Sequence, residues 1–266
     1  MITNPNIINA IAEKKLKIKE LGIEQTRRCP LNCQICYKGD AENVVLDKRV
    51  PEIAFDQFND IEAIALLGGE PQSSTKGILH ILNALKENKT KFRKFGFVTS
   101  MAFINKDFWE AVDEINSFAT IKNCDMDGVH YSISNDYWHN LALDQANIPL
   151  EAVAANYDTV KKAHPHLKSI HRDYIGKEQY IVSAVGHGKN IPGALQSKKF
   201  PFEISKVYKW VFPTKSFSID RFNVDAKGNI FNGFTEYTEA DKGLLGNIFK
   251  SPIQNLIIEN AVDKTM

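Results

Sequence analysis

The alternation of strand-like and helical stretches constrains the fold of this chain more than any other feature of its sequence. Stretches with apolar residues at helical spacing, the first at about 5–15, separate apolar runs that are typical of strands. Five such runs occur, at 21–26, 61–69, 94–100, 127–134 and 178–185. Strands that alternate with helices form parallel sheets, and these units are too few for a closed barrel of eight strands. We therefore predict an α/β fold, a partial (β/α)6 TIM-like barrel of about six strands.

Composition and charge limit the classes of function that we expect for this chain. The 266 residues are 43% hydrophobic and 24% charged, which is ordinary for a globular chain with a large core. The formal net charge is +1, so the chain has no overall field that would attract nucleic acid. No apolar run approaches the ~20 residues that a membrane-spanning helix needs. We predict a cytoplasmic protein with no nucleic-acid partner and no membrane association.

Three of the four cysteines lie on one short loop after the first predicted strand. Cys29, Cys33 and Cys36 form the pattern C-x3-C-x2-C, whereas a secreted disulfide scaffold would spread its cysteines evenly. Clustered thiols in a reducing compartment indicate a metal site, and three thiolates leave the fourth position of a tetrahedral site open. Two alternatives remain, a zinc site completed by Cys124 or a histidine, and three core cysteines without a ligand.

Four segments rich in polar residues and glycine follow four successive predicted strands. They are the cysteine loop, GGEP at 68–71, TSM at 99–101 and SISND at 132–136. The carboxyl ends of parallel strands meet at one edge of a sheet, where ligands bind in such folds. Gly68 and Gly69 would allow a ligand close to the backbone, and Glu70 offers a carboxylate. The sequence therefore predicts one site at this edge.

The cysteine loop resembles the signature of radical S-adenosylmethionine (radical SAM) enzymes, and LLGGEPQ is similar to the second motif of that family. The resemblance implies that Cys29, Cys33 and Cys36 bind three irons of one 4Fe-4S cluster, while S-adenosylmethionine chelates the fourth iron. It further implies reductive cleavage of S-adenosylmethionine to a 5′-deoxyadenosyl radical, which abstracts hydrogen from a substrate. A reducing partner such as flavodoxin or ferredoxin would supply the electron.

The resemblance also implies which residues bind the cofactor. In the family, the segment that corresponds to Gly68, Gly69, Glu70 and Pro71 meets the methionine ammonium group. The family pattern is usually aromatic at position 35, where this chain has Ile35, with Tyr37 after the last cysteine. Two further segments depart from the family pattern but keep hydroxyl groups that can bind ribose or carboxylate. These hydroxyl residues are Ser100, Ser132 and Ser134.

The C-terminal segment resembles the extension of SPASM and Twitch enzymes, which modify peptides. A predicted hairpin turn, DAKGN at 225–229, precedes a predicted terminal helix. Asn232 stands about where those enzymes carry a cysteine that binds an auxiliary cluster, and no cysteine follows Cys124. We predict a radical SAM partial barrel over 1–215 and, over 216–266, a remnant of this extension without an auxiliary cluster. The likeness favours a peptide or protein substrate.

Two functional hypotheses follow from the sequence. The first is a radical SAM enzyme, of the oxidoreductase or peptide-modifying type, with a single cluster. The second is a non-catalytic protein in which zinc or an iron–sulfur cluster has only a structural or regulatory role. Cys124 precedes the fourth predicted strand, so we expect it at the opposite end of the barrel, buried and unreactive.

Overall fold

A computed structural model gives the architecture of most of the chain. It describes residues 5–13, 17–58, 60–120, 127–170, 174–177, 187, 190–192, 194, 203–206, 217–231, 244–260 and 262–263. In this part of the chain, no helix has both the length and the apolar character needed to span a membrane.

The first two thirds of the chain alternate strands and helices. The elements are α1 (Pro5–Ala12), β1 (Lys17–Thr26), α2 (Arg49–Gln57), β2 (Asp60–Gly68), α3 (Thr75–Asn88), β3 (Lys91–Thr99), α4 (Lys106–Ser117), β4 (Gly128–Ile133), α5 (Tyr137–Gln145), α6 (Leu150–Ala163) and β5 (Lys168–Ile170). The remainder is mostly strand. Its elements are β6 (Glu203–Lys206), β7 (Phe217–Val224), β8 (Asn229–Phe231), β9 (Leu244–Asn247), α7 (Ile253–Asn260) and β10 (Val262–Asp263).

All described strands belong to one open sheet with the order β10-β6-β7-β1-β2-β3-β4-β5, and β8 and β9 extend from β7. The run from β7 to β5 is parallel throughout, whereas β6 and β8 are antiparallel to β7. The predicted α/β class and its parallel sheet are therefore confirmed. Apolar side chains fill the space between sheet and helices; the largest include Phe55, Phe58, Phe92, Phe95 and Trp109.

Four of the five predicted strands correspond to β1–β4, but the remaining two parallel strands differ from expectation. Residues 178–185, predicted as the fifth strand, lie outside the described residues. Strand β5 has only three residues, Lys168–Ile170, too few for a periodic pattern to show. Strand β7 comes from the C-terminal segment and pairs in parallel with the other side of β1. Local periodicity does not reveal a partner so distant in sequence.

The predicted turn in the C-terminal segment is confirmed. Strands β7 and β8 pair antiparallel through Val224 and Ile230, and Gly228 in the connecting turn has a φ of +81°. Only glycine adopts such a φ without strain. Asn232 lies outside the described residues. The division of the chain at residues 215 and 216 stays a prediction, although β7 belongs to the same sheet as β1.

Candidate metal and cofactor site

The cysteine loop leaves β1 at Thr26 and returns beside it at Val44. The backbone N–H of Arg27 donates to the Val44 carbonyl over 3.0 Å, and the Thr26 hydroxyl donates to the same oxygen over 2.8 Å. Within the loop, a tight turn joins two of the cysteines, because the Cys36 N–H donates to the Cys33 carbonyl over 3.0 Å. The loop is therefore closed at its base and folded back on itself.

The three thiols lie close enough together to influence one another's ionisation. Burial raises the pKa of Cys29 to about 11 and that of Cys33 to about 12, and it also raises the pKa of Cys36. The negative charges of Cys29 and Cys36 raise the pKa of Cys33 further. Three thiolates on this loop thus need bound cations to become stable at neutral pH.

The three thiols of the loop are the kind of donors that an iron–sulfur cluster takes. Among the described residues, no three His, Cys, Asp or Glu side chains lie close enough together to hold one metal ion. In an iron–sulfur cluster each cysteine binds a different iron, so the sulfurs need not meet around one centre. Three mutually interacting thiols on one loop fit such a cluster.

The basic residues of the loop are paired within the protein. Lys38 is buried and its Nζ lies 3.0 Å from Oε1 of buried Glu24, while burial lowers its pKa to about 8. Arg27 pairs with Glu42, and Nε of Arg28 donates to the Asn43 side chain over 2.7 Å. These residues fix the shape of the loop.

The glycines at the end of β2 bring that strand against the cysteine loop. A Cβ atom at Gly68 would lie 2.0 Å from the Thr26 carbonyl oxygen, and one at Gly69 would lie 2.2 Å from the Arg28 carbonyl oxygen. The Gly69 N–H donates to Thr26 over 2.8 Å. Burial raises the pKa of Tyr37, and the neighbouring Gly68 backbone partly offsets this rise. The close approach allowed by these glycines is thus to the cysteine loop itself.

Glu70 is buried, and protein donors fill the acceptor positions of its carboxylate. Its Oε1 accepts from the Thr99 hydroxyl over 2.7 Å and from the Gln72 N–H over 3.3 Å. Its Oε2 accepts from both the N–H and the hydroxyl of Ser100 over 2.7 Å. Two of the predicted cofactor-binding residues, Glu70 and Ser100, therefore bind each other and join the ends of β2 and β3.

Gln72 organises a polar network next to Glu70 and Ser100, and the sequence does not predict this network. Fully buried Gln72 donates to Thr99 over 3.0 Å and accepts from Trp109 Nε1 over 2.8 Å and from the Asn105 N–H over 3.1 Å. The Gln25 side chain donates to the carbonyl of Pro71, which opens the turn after β2, over 3.1 Å. Buried polar groups need such partners, so the network fixes the spacing of the strand ends.

At the end of β4, Ser132 is buried and Ser134 is half-buried, with the Ser134 N–H donating to the Thr99 carbonyl over 3.0 Å. Asp136 follows them and caps α5, and its Oδ2 lies 2.6 Å from Nδ1 of His139. Burial tends to raise the pKa of Asp136, but the hydrogen bond and charge of His139 outweigh it and lower the pKa. The Asp136 charge also raises the pKa of Cys33. This aspartate–histidine pair, which the sequence did not indicate, therefore borders the site.

One residue contacts the cysteine loop from far along the chain. The His187 N–H donates to the Cys36 carbonyl over 2.9 Å, Nδ1 lies 3.1 Å from the Cys33 carbonyl oxygen, and Nε2 lies 2.9 Å from Oδ1 of Asp40. No spacing in the sequence points to this contact. Cys124 lies outside the described residues.

Solved structures with a similar fold are radical SAM enzymes. Structures of anSMEcpe with AdoMet and the Cp18Cys or the Kp18Cys peptide align with TM-scores of 0.55 and 0.56. Each is 11% identical to this chain, and the alignments cover 91% of this chain and 80% of that one. BtrN in complex with AdoMet and 2-DOIA aligns with a TM-score of 0.49 at 14% identity, covering 90% of this chain and 81% of that one. No family model and no curated protein matches the sequence. The chain has the fold of the radical SAM enzymes, an open, partial TIM-like barrel.

Proposed function

We propose that this protein is a radical SAM enzyme with a single 4Fe-4S cluster. The observation that carries the proposal is the packing of the Gly68–Glu70 turn against a loop with three interacting thiols, at the carboxyl ends of parallel strands. In this proposal Cys29, Cys33 and Cys36 hold the cluster. The AdoMet site is lined by Tyr37, Gly68, Gly69, Glu70, Pro71, Ser100, Ser132 and Ser134.

The bound cluster and AdoMet would supply a 5′-deoxyadenosyl radical, which abstracts a hydrogen atom from the substrate. The work of the chain is to hold the reactants and to limit access of water. Because the bonds of Glu70 to Thr99 and Ser100 tie β2 to β3, they fix the wall of the site. The Gly68 and Gly69 backbone would then face the ligand with its carbonyl groups, since the Glu70 carboxylate is already saturated by protein donors.

We further propose a peptide or protein substrate. anSMEcpe, whose fold this chain shares, was solved with bound peptides, and the C-terminal segment resembles extensions found in peptide-modifying enzymes. The electron would come from a small reducing partner, flavodoxin or ferredoxin. The clustered thiols require a reducing compartment, so we place the protein in the cytoplasm.

Anaerobic purification and a cleavage assay test the proposal. We expect brown protein that contains iron and sulfide and that releases 5′-deoxyadenosine from AdoMet when dithionite is added. Cys33→Ala should abolish both the colour and the cleavage, because it removes one of three iron ligands. Cys124→Ala, expected to change neither, is the matched control. Colourless protein that binds one zinc ion and releases no 5′-deoxyadenosine would contradict the proposal and favour a structural metal protein.

A further inference from the structure

We propose that His187 is a positioning residue that holds the cysteine loop in its cluster-binding shape. This inference rests on the proposed function, because it concerns the same three thiols. It adds a residue that the cysteine pattern does not contain and that lies 154 positions from Cys33 in the sequence.

The contacts of His187 reach two of the three cysteines. Its backbone N–H donates to the Cys36 carbonyl, and its ring contacts the Cys33 carbonyl through Nδ1 and the Asp40 carboxylate through Nε2. The three bonds measure 2.9, 3.1 and 2.9 Å, within the normal range for hydrogen bonds. A carbonyl and a carboxylate only accept, and a neutral imidazole carries one N–H, so each tautomer of the ring donates to one of these two groups, while the backbone N–H donates to Cys36 in both. One side chain therefore joins the turn that carries Cys33 and Cys36 to the end of the loop.

The contacts of His187 join the second half of the cysteine loop to a part of the chain that is distant in sequence. The first half of the loop is already fixed to β2, because the N–H groups of Gly69 and Glu70 donate to carbonyls at Thr26 and Arg28. In the second half, Lys38 pairs with Glu24 of β1 and its carbonyl accepts from the Arg27 guanidinium over 2.9 Å. His187 follows β5, which lies four strands away from β1 in the sheet. Its contact thus joins the cysteine loop to a segment that follows the far parallel strand in sequence.

A cluster needs its thiolates held at fixed separations before the irons bind. Groups that bond to metal-binding residues without touching the metal set ligand orientation, and their loss typically weakens metal binding 10–100-fold. The carbonyls that His187 bonds belong to the peptide units of Cys33 and Cys36. Replacement of the ring removes the contacts with Cys33 and Asp40 but keeps the backbone N–H bond to Cys36. We expect the Cys33 end of that turn to loosen while Cys29 stays anchored to β2.

The test compares His187→Ala with His187→Gln and with His166→Ala as the matched histidine control. His166 precedes β5 and bonds Asp113 on α4, away from the loop. Each variant is reconstituted anaerobically with iron and sulfide. Iron and sulfide per chain, the rate of bleaching by an iron chelator, and the unfolding midpoint of the metal-free protein are then measured. We expect His187→Ala to bleach at least about tenfold faster than wild type with an unchanged midpoint, and His187→Gln, which keeps an N–H donor, to be intermediate.

Bleaching of His187→Ala at the wild-type rate would overturn the inference while leaving the proposed function intact. Equal acceleration in His166→Ala would also overturn it, because the effect would then not belong to the loop. If His187→Ala fails to fold, Asp40→Asn tests the same contact, because it weakens the bond between Asp40 and Nε2 of His187. Faster bleaching of this variant supports the inference, and an unchanged rate overturns it. A wild-type chain that takes up no iron and sulfide would overturn the proposed function and this inference together.

Discussion

The thiols of the cysteine loop are weak acids in the metal-free protein. Burial is the main cause, and the neighbouring thiols add to it at Cys33. Their raised pKa values favour the thiol form at neutral pH, so the iron of the proposed cluster would have to displace a proton from each. Cluster assembly should release protons and proceed more readily at mildly alkaline pH.

Alkylation of the metal-free protein measures this directly. Burial moves the pKa of Cys29 from 9.0 to about 11, so at pH 8 we expect iodoacetamide to label it about 100-fold more slowly than an ordinary thiol. The rate should continue to rise with pH beyond 9. Mass spectrometry of the labelled peptides follows each cysteine, and urea-unfolded protein serves as the control. A rate that levels off near pH 9 would contradict the buried environment.

The Asp136–His139 pair makes stability depend on pH with a defined sign. A carboxylate whose pKa is lowered by folding stabilises the protein above its unfolded pKa of about 3.9, and this stabilisation is lost as the pH falls through the folded pKa. Asp136→Asn keeps a good cap for α5 but removes the charge. We expect it to lower the free energy of unfolding by about 1 kcal/mol at pH 7 and by less near pH 2, below the unfolded pKa. Urea denaturation at both pH values measures this, and equal losses would contradict the pairing.

At the scale of elements, the close contact between β2 and the cysteine loop depends on two glycines, Gly68 and Gly69. Gly69→Ala would place Cβ 2.2 Å from the Arg28 carbonyl oxygen, so β2 and the loop must separate. We expect loss of cluster binding and a decrease of roughly 2–4 kcal/mol in the free energy of unfolding. Thermal or urea unfolding and iron content measure both effects.

Gly39→Ala is the matched control within the same loop. Gly39 has a φ of +76°, but a Cβ atom there would meet nothing within 4 Å. The substitution therefore costs only backbone strain, about 1 kcal/mol. Equal losses in the two variants would mean that close packing at Gly69 is not what joins the elements.

The elements differ in how far the sequence could predict them. Strands β1–β4 and the cap of α4, Asn105, follow from local patterns, because apolar periodicity and capping are local effects. The bonds of Gln72 to Trp109 and of His187 to Cys33 could not be predicted, because each joins residues brought together only by the tertiary fold. The sequence pointed to Gly68 and Gly69, but it could not show that their neighbour is the cysteine loop.

At the scale of the whole molecule, β7 makes the C-terminal segment part of the sheet. Its apolar residues Ile219, Phe222 and Val224 are fully buried, and Phe222 packs edge-on against Phe58. Burial of three such side chains contributes about 5–9 kcal/mol, which is comparable to the total stability of a domain. The predicted extension and the predicted barrel thus share a core.

A chain that ends at residue 215 tests this shared core. We expect it to lose cooperative unfolding, because it removes β7 and exposes one edge of β1. Circular dichroism during urea titration and size-exclusion chromatography report the outcome. Cooperative unfolding of the shortened chain at the wild-type midpoint would contradict the expectation and would support an independent barrel over 1–215.

The pairing of β7 with β1 has a consequence for biosynthesis. The strand that leads into the cysteine loop acquires its second neighbour only after the ribosome has made residues 217–224. Glu24, which anchors the loop through Lys38, also accepts a hydrogen bond from the N–H of Ala226. A nascent chain shorter than this therefore presents the three cysteines on an incompletely supported strand, and assembly of the proposed cluster should follow synthesis of residues 217–226.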